Sequence, residues 1–169
     1  MKKTQFIILI IAILFANEGF GQTDSLVADK SGVYNAIRAG IGLEKTPYLE
    51  LGFSGIGIVD KSWPGSFCFY AAGQINVSNN EENGKYTYGG KVGFETAWMI
   101  GMWGAEIKYL TNKNHSQVYF TPKVGLTAVG FASILYGYNV PTKDKLEEIG
   151  RHQISITLNW SNKLVRYLN

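Results

Sequence analysis

The sequence predicts an all-β chain folded as an eight-stranded antiparallel up-and-down transmembrane β-barrel. Three observations carry that expectation. Over residues 33–160 apolar and polar residues alternate segment after segment, and a period of two means strands with one apolar and one polar side. About eight such segments follow an export signal. Tyr and Trp rim the apolar faces at the segment ends, the arrangement of a sheet with lipid outside and polar side chains inside.

The export signal occupies residues 1–21. Lys2 and Lys3 form a positive start, residues 6–16 are an unbroken apolar run, and Gly19-Phe20-Gly21 places small residues at −3 and −1 of a cut before Gln22. That run is about half the roughly twenty residues a spanning helix needs. Lys2, Lys3 and Glu18 leave with the signal, so the formal charge falls from +3 to about +2, and no Lys/Arg cluster suggests nucleic acid. Cys68 is the single cysteine, which excludes an internal disulfide. Residues 22–32 read as a loose N-terminal segment, residues 33–160 as the barrel and residues 161–169 as a C-terminal tail.

The first strand is expected over 33–44, with Ala39, Ile41 and Leu43 opposed to Arg38, Gly40, Gly42 and Glu44. The second, 48–58, sets Leu49, Leu51 and Phe53 against Glu50, Gly52 and Ser54. The third, 66–78, sets Phe67, Phe69, Ala71, Ile75 and Val77 against Cys68, Tyr70, Gln74 and Asn76. In the fourth, 85–99, Tyr86, Tyr88, Val92, Phe94 and Trp98 oppose Lys85, Thr87, Lys91 and Glu95. The fifth, 103–111, opposes Trp103, Ala105, Ile107 and Tyr109 to Glu106 and Lys108. The sixth, 117–129, opposes Val118, Phe120, Val124 and Leu126 to Tyr119, Thr121, Lys123 and Thr127. The seventh, 132–140, carries Ile134, Tyr136 and Tyr138 on its apolar face, and the eighth, 152–160, carries Ile154, Ile156, Leu158 and Trp160 against Ser155, Thr157 and Asn159. Each is close to the 9–11 residues of a tilted membrane strand.

Connection lengths supply an orientation. Residues 79–84, 112–116 and 141–151 are polar and longer, whereas 99–102 and 129–131 are tight. Long loops outside and short turns on the periplasmic side put both termini in the periplasm. The first connection, 45–47, is shorter than that rule prefers and the second, 59–65, is longer. With this orientation Tyr86, Tyr88, Tyr109 and Tyr138 fall at the outer strand ends, and Phe67, Trp98, Trp103 and Trp160 at the inner ends, two girdles of the rings that favour a membrane–water interface.

Taken together, the export signal, eight alternating strands, aromatic girdles and long outer loops resemble the small eight-stranded outer-membrane β-barrels of the OmpA/OmpX type. The resemblance covers the mature chain and rests on pattern. It implies a monomer in the cell outer membrane with lipid as its surroundings, porin-like in architecture, with a structural or surface-interaction role. Such barrels end on an aromatic residue of the last strand. Trp160 fits, although residues 161–169 follow it.

The inward set contains Arg38, Glu44, Glu50, Lys91, Glu95, Glu106, Lys108 and Lys123, balanced in sign. An eight-stranded barrel is just wide enough for side chains to fill it, so a salt-bridged plug is expected. A narrow ion or proton path would use the same residues. Glycines 40, 42, 52, 89, 93, 104 and 125 share that face and leave volume for Tyr70 and Tyr119. Cys68 reads as a small lumen filler.

An enzyme is the rival class. Lipid-A deacylases of this architecture use a His-x-Ser pair on one strand face, but Gln117 stands two after His115 and Ile154 two after His152. No catalytic residue, cofactor or metal ligand is expected. A soluble lipocalin-like barrel is the second alternative, and it needs the apolar set inside. Asp144 and Glu147 have capping-box spacing, and the seventh connection is expected to be a solvated loop with at most one helical turn.

Overall fold

The protein is described here as a computed structural model covering residues 32–59, 65–77, 86–128, 130–143 and 146–161. The export signal, the segment after it up to residue 31, connections 60–64 and 78–85, the Asp144 cap and residues 162–169 lie outside the described residues.

The strands are β1 (Gly32–Leu43), β2 (Pro47–Val59), β3 (Gly65–Val77), β4 (Tyr86–Trp98), β5 (Gly101–Thr111), β6 (Ser116–Ala128), β7 (Ala132–Tyr138), β8 (Val140–Pro141) and β9 (His152–Trp160). Each pairs antiparallel with the next around the sheet, and β9 pairs with β1, which closes it. β7 and β8 are two pieces of one stave, so the barrel has eight. Alternation dictates these elements. In β3 every second residue from Ser66 to Asn76 is buried and its neighbours are exposed.

The break between β7 and β8 has a local cause. Thr142 donates its N–H to Val118 O across the β6 seam, and Asn139 donates its own to Arg151 O on the other side. By the two-residue alternation Tyr138 faces β6 and would meet Pro122, which has no N–H to give. The ladder therefore stops at Lys123↔Gly137 and resumes at Phe120↔Val140. The buried Asn139 side chain bridges the gap, accepting from Thr121 Oγ1 at 2.8 Å and donating to Gly150 O at 2.8 Å.

The stagger of the barrel can be followed through the registers. Gly32 pairs with Ile58, Ile58 with Ser66, Ser66 with Ala97, Ala97 with Met102, Met102 with Gly125, Gly125 with Leu135, Leu135 with Ser155, and Ser155 with Gly42. One circuit thus returns to β1 ten residues further along. For eight strands that stagger corresponds to a tilt of about 40° and a backbone radius of about 8 Å. The interior must then be packed with side chains.

We call the end that carries the β4–β5 and β6–β7 turns the turn end, and the opposite one the loop end. At the turn end Ala36, Ile56, Ile58, Cys68 and Tyr70 form an apolar cluster joined by Tyr34 and Phe131. Gly130, at φ +76, turns the chain there, and its amide donates to Thr127 Oγ1 at 2.9 Å. At the loop end Leu110 and Tyr119 pack with Leu146 and Ile149. The seventh connection is therefore not the solvated loop expected: Leu146 and Ile149 are 5% and 0% exposed and stopper the barrel. Burial of two apolar side chains that would otherwise face water accounts for the inward fold. The helical turn expected there is a single reverse turn closed by Ile149 N–H to Leu146 O at 3.1 Å.

Two glycines mark opposite surroundings. A Cβ on Gly89 would overlap the carbonyl oxygen of Tyr109, whereas one on Gly73 would meet nothing closer than 3.8 Å. Gly89→Ala is expected to destabilise the barrel by about 1–3 kcal/mol through strand displacement, while Gly73→Ala leaves stability nearly unchanged. Urea unfolding of the two variants by tryptophan fluorescence tests the contrast.

Candidate functional site

The barrel interior is the one place where the chain gathers charged chemistry among the described residues. Arg38 comes from β1, Glu50 from β2, Lys91 and Glu95 from β4, Glu106 and Lys108 from β5, Lys123 from β6, and Glu44 from the β1–β2 turn. All eight side chains are at most 1% exposed. They enter the lumen because each occupies the inward parity of its strand, and their tiers meet because the registers bring them together. Lys91 pairs directly with Lys108, and Glu95 lies opposite Gly104, which itself lies opposite Lys123.

The guanidinium of Arg38 binds both oxygens of Glu95, at 2.8 and 3.1 Å, and donates Nε–H to Glu50 at 2.9 Å. Its flat face lies 3.9 Å from the Tyr70 ring centroid, a stacked, bidentate arrangement that lysine could not reproduce. Lys91 pairs with Glu50 and lies 3.7 Å from Glu106. Lys123 meets Glu95 at 2.9 Å and Glu106 at 3.0 Å, and donates to the Tyr70 hydroxyl at 2.7 Å. Tyr70 in turn donates to Glu106 at 2.5 Å. Lys108 pairs with Glu44 and donates to Gln153 at 2.6 Å, and Gln153 donates to the Tyr48 hydroxyl at 2.8 Å. Four cations face four carboxylates in one connected network. Isolated, any of these ions would cost several kcal/mol to bury. Each carboxylate here instead receives at least one cation and a further polar donor or second cation.

Sequence reasoning named these eight residues and put Tyr70 among them in the lumen, but did not name their other neutral partners. Tyr48, Tyr70, Gln153 and Asn139 complete the shell, and their inward parity was the available signal. It did not find Glu148. That carboxylate is 3% exposed beneath the loop-end stopper. One of its oxygens accepts a 3.4 Å bond from Asn112, and among the described residues the other has no hydrogen-bond partner and no cation pairs with the carboxylate. Glu148 became buried only because Leu146 and Ile149 fold inward around it.

The eight rim aromatics all point outward. At the loop end Tyr86, Tyr88, Tyr109 and Tyr138 are 46%, 56%, 52% and 37% exposed, and at the turn end Phe67, Trp98, Trp103 and Trp160 are 37%, 70%, 59% and 56% exposed. Both histidines are exposed, and His152 Nδ1 lies 2.7 Å from the Tyr136 hydroxyl. Cys68 is a free, buried thiol within the turn-end cluster. Comparison of the chain with family models, with curated proteins and with solved structures finds no match. The established statement is therefore the fold itself, an eight-stranded antiparallel closed barrel around a buried ionic network.

Two substitutions test the energetics. Lys123→Met removes the cation that Glu95 and Glu106 share, leaving Glu95 to Arg38 and Glu106 to the more distant Lys91 and Lys108, and is expected to cost about 3–5 kcal/mol, with a large part recovered in the Lys123→Met/Glu106→Gln double variant. A double-mutant cycle by denaturant unfolding measures that coupling. Glu148→Gln keeps the shape of an uncompensated carboxylate while removing its charge, and is expected to stabilise the barrel by about 1–3 kcal/mol, read as a higher unfolding midpoint at pH 7.

Proposed function

We propose that this chain is a non-enzymatic outer-membrane barrel of the OmpA/OmpX type, a monomer whose lumen is plugged and whose role is structural or surface-interacting. One observation carries the reading. Among the described residues no Asp, Glu, Lys or Arg points outward from a strand, and most outward positions are apolar, many of them bulky, such as Leu51 at 66%, Phe53 at 60%, Val92 at 56% and Leu126 at 58% exposure. A soluble monomer rarely exposes a continuous apolar patch above a few hundred Å². This belt encircles the barrel.

Belt height supports the same reading. Tyr88 and Trp98 stand on one strand and one face, ten residues apart. At a rise of about 3.3 Å per residue and a tilt of about 40° they are separated by about 25 Å along the axis, the height of an apolar band between aromatic girdles. The soluble alternative, an apolar interior for a ligand, is disfavoured by eight buried charges in the lumen. An acyl-transfer or deacylation role is disfavoured by the partners of His152, a tyrosine hydroxyl and two aromatic rings.

Fractionation is the primary test. The mature protein is expected to stay with membranes in alkaline carbonate and to leave in detergent; release by carbonate overturns the proposal. Within a bilayer, Ile107→Arg is expected to cost about 2–4 kcal/mol near the midplane, measured by folding titration into vesicles. Planar-bilayer recording should show no stable conductance, and discrete openings altered by Glu106→Gln would favour an ion path instead.

A further inference from the structure

The outward wall is not evenly filled. Across β9, β1, β2 and β3 lie two adjoining grooves of about 690 and 460 Å³ that share Ile41, Leu49 and Ile156. Ala39 and Gly73 form part of the floor of the larger one, and Gly73 pairs with Gly90, which also faces outward. Longer side chains, Leu51, Ile75, Tyr88 and Leu158, rise around that floor. The smaller groove continues to the loop end between Leu43, Pro47, Val77 and Ile154.

What stands at that open end is charged. Lys45 sits in the β1–β2 turn, two residues before Pro47, and Arg151 directly precedes β9. The two chain segments are in contact, since a Cβ on Gly150 would lie 2.8 Å from Lys45 N and 3.2 Å from Glu44 C. Both side chains are exposed, and among the described residues no ion pair reaches either. An apolar trough that ends beside two uncommitted cations matches a molecule with a hydrocarbon chain and an anionic head. A partner helix would match the trough but has no use for the cations.

We propose that this groove holds one acyl chain of an anionic, phosphate-bearing membrane lipid, with Lys45 and Arg151 at its headgroup. The inference rests on the outer-membrane reading and adds a specific lipid site to it. Another outward groove on the belt, between Phe69, Val92, Phe94 and Ile107, is smaller, about 380 Å³, and has no Lys or Arg among its lining residues. In the proposed site the glycine floor lets a chain lie deeper, and the paired cations select the head.

The test is native mass spectrometry of the detergent-solubilised protein with equal amounts of dipalmitoyl phosphatidylglycerol and dipalmitoyl phosphatidylcholine. Phosphatidylglycerol adducts are expected to exceed phosphatidylcholine adducts by roughly thirtyfold, as two interfacial cations would give. Gly73→Leu fills the groove, its Cβ meeting backbone oxygens only at 3.8 Å or beyond, and is expected to lose both adducts. Lys45→Gln/Arg151→Gln is expected to keep chain binding and level the two lipids. Equal retention of both lipids by the wild type, or a wild-type adduct pattern in Gly73→Leu, overturns the site. Those results would leave the outer-membrane reading intact if the protein remains in the carbonate-washed membrane fraction, whereas release by carbonate removes both.

Discussion

Glu95 and Glu106 are each claimed by more than one cation, and the architecture depends on that sharing. A closed sheet of eight strands leaves an interior too narrow for bulk water and too wide to be left empty. If the outward face is apolar, alternation forces the polar residues inward, where ions pay heavy desolvation. Charge balance alone would not offset it. What makes the burial tolerable is geometric: a bidentate Arg38, a Lys123 bonded to two carboxylates and a hydroxyl, and a tyrosine ring lying against the guanidinium. The inward glycines belong to the same solution. Gly93 leaves room for the Tyr70 hydroxyl, which donates to Glu106 and accepts from Lys123.

The two ends close this charged layer differently. The turn end is sealed by strand residues whose inward positions are apolar, Ile56 and Ile58 among them, with Phe131 from a tight turn. The loop end is sealed by a segment between strands, and its seal includes the uncompensated Glu148. The first seal is part of the ladder and opens only if strands separate. The second hangs on Leu146, Ile149 and a few hydrogen bonds, including Tyr119 accepting from Leu146 N–H at 2.9 Å and Thr46 donating to Glu148 O at 3.2 Å. Local opening therefore concentrates at the loop end, where fewer backbone bonds must break.

Much of the architecture was legible because side-chain parity is a binary code. Once β4 is a strand, Lys91 and Glu95 share a face with Thr87 and oppose Val92 and Phe94 without further information. Strand ends agree to within two residues for the same reason: Pro47, Gly65 and Gly101 stand where alternation begins. Which face turns inward was not legible from parity, and the girdles had to supply it. Three features escaped. Ile56 and Ile58 are apolar on the inward parity, and nothing local distinguishes a plug residue from a belt residue. The stopper formed by Leu146 and Ile149 depends on a cavity that exists only once the barrel has closed. The interruption at Asn139 was caused by Pro122, a residue visible in β6 but acting on a strand ten or more positions away in sequence.

The ten-residue stagger has a consequence for how this chain can vary. Ten is even, so a circuit of partners that begins on an inward residue ends on one, from Gly32 to Gly42. Insert a single residue in mid-strand and the parity beyond it inverts, exchanging Glu95 for Phe94 or Lys123 for Val124 across the wall. Only a bulge could absorb that change. Length variation among natural versions of this barrel should therefore arrive in pairs within strands and freely in the connections, a constraint written by topology on the gene itself.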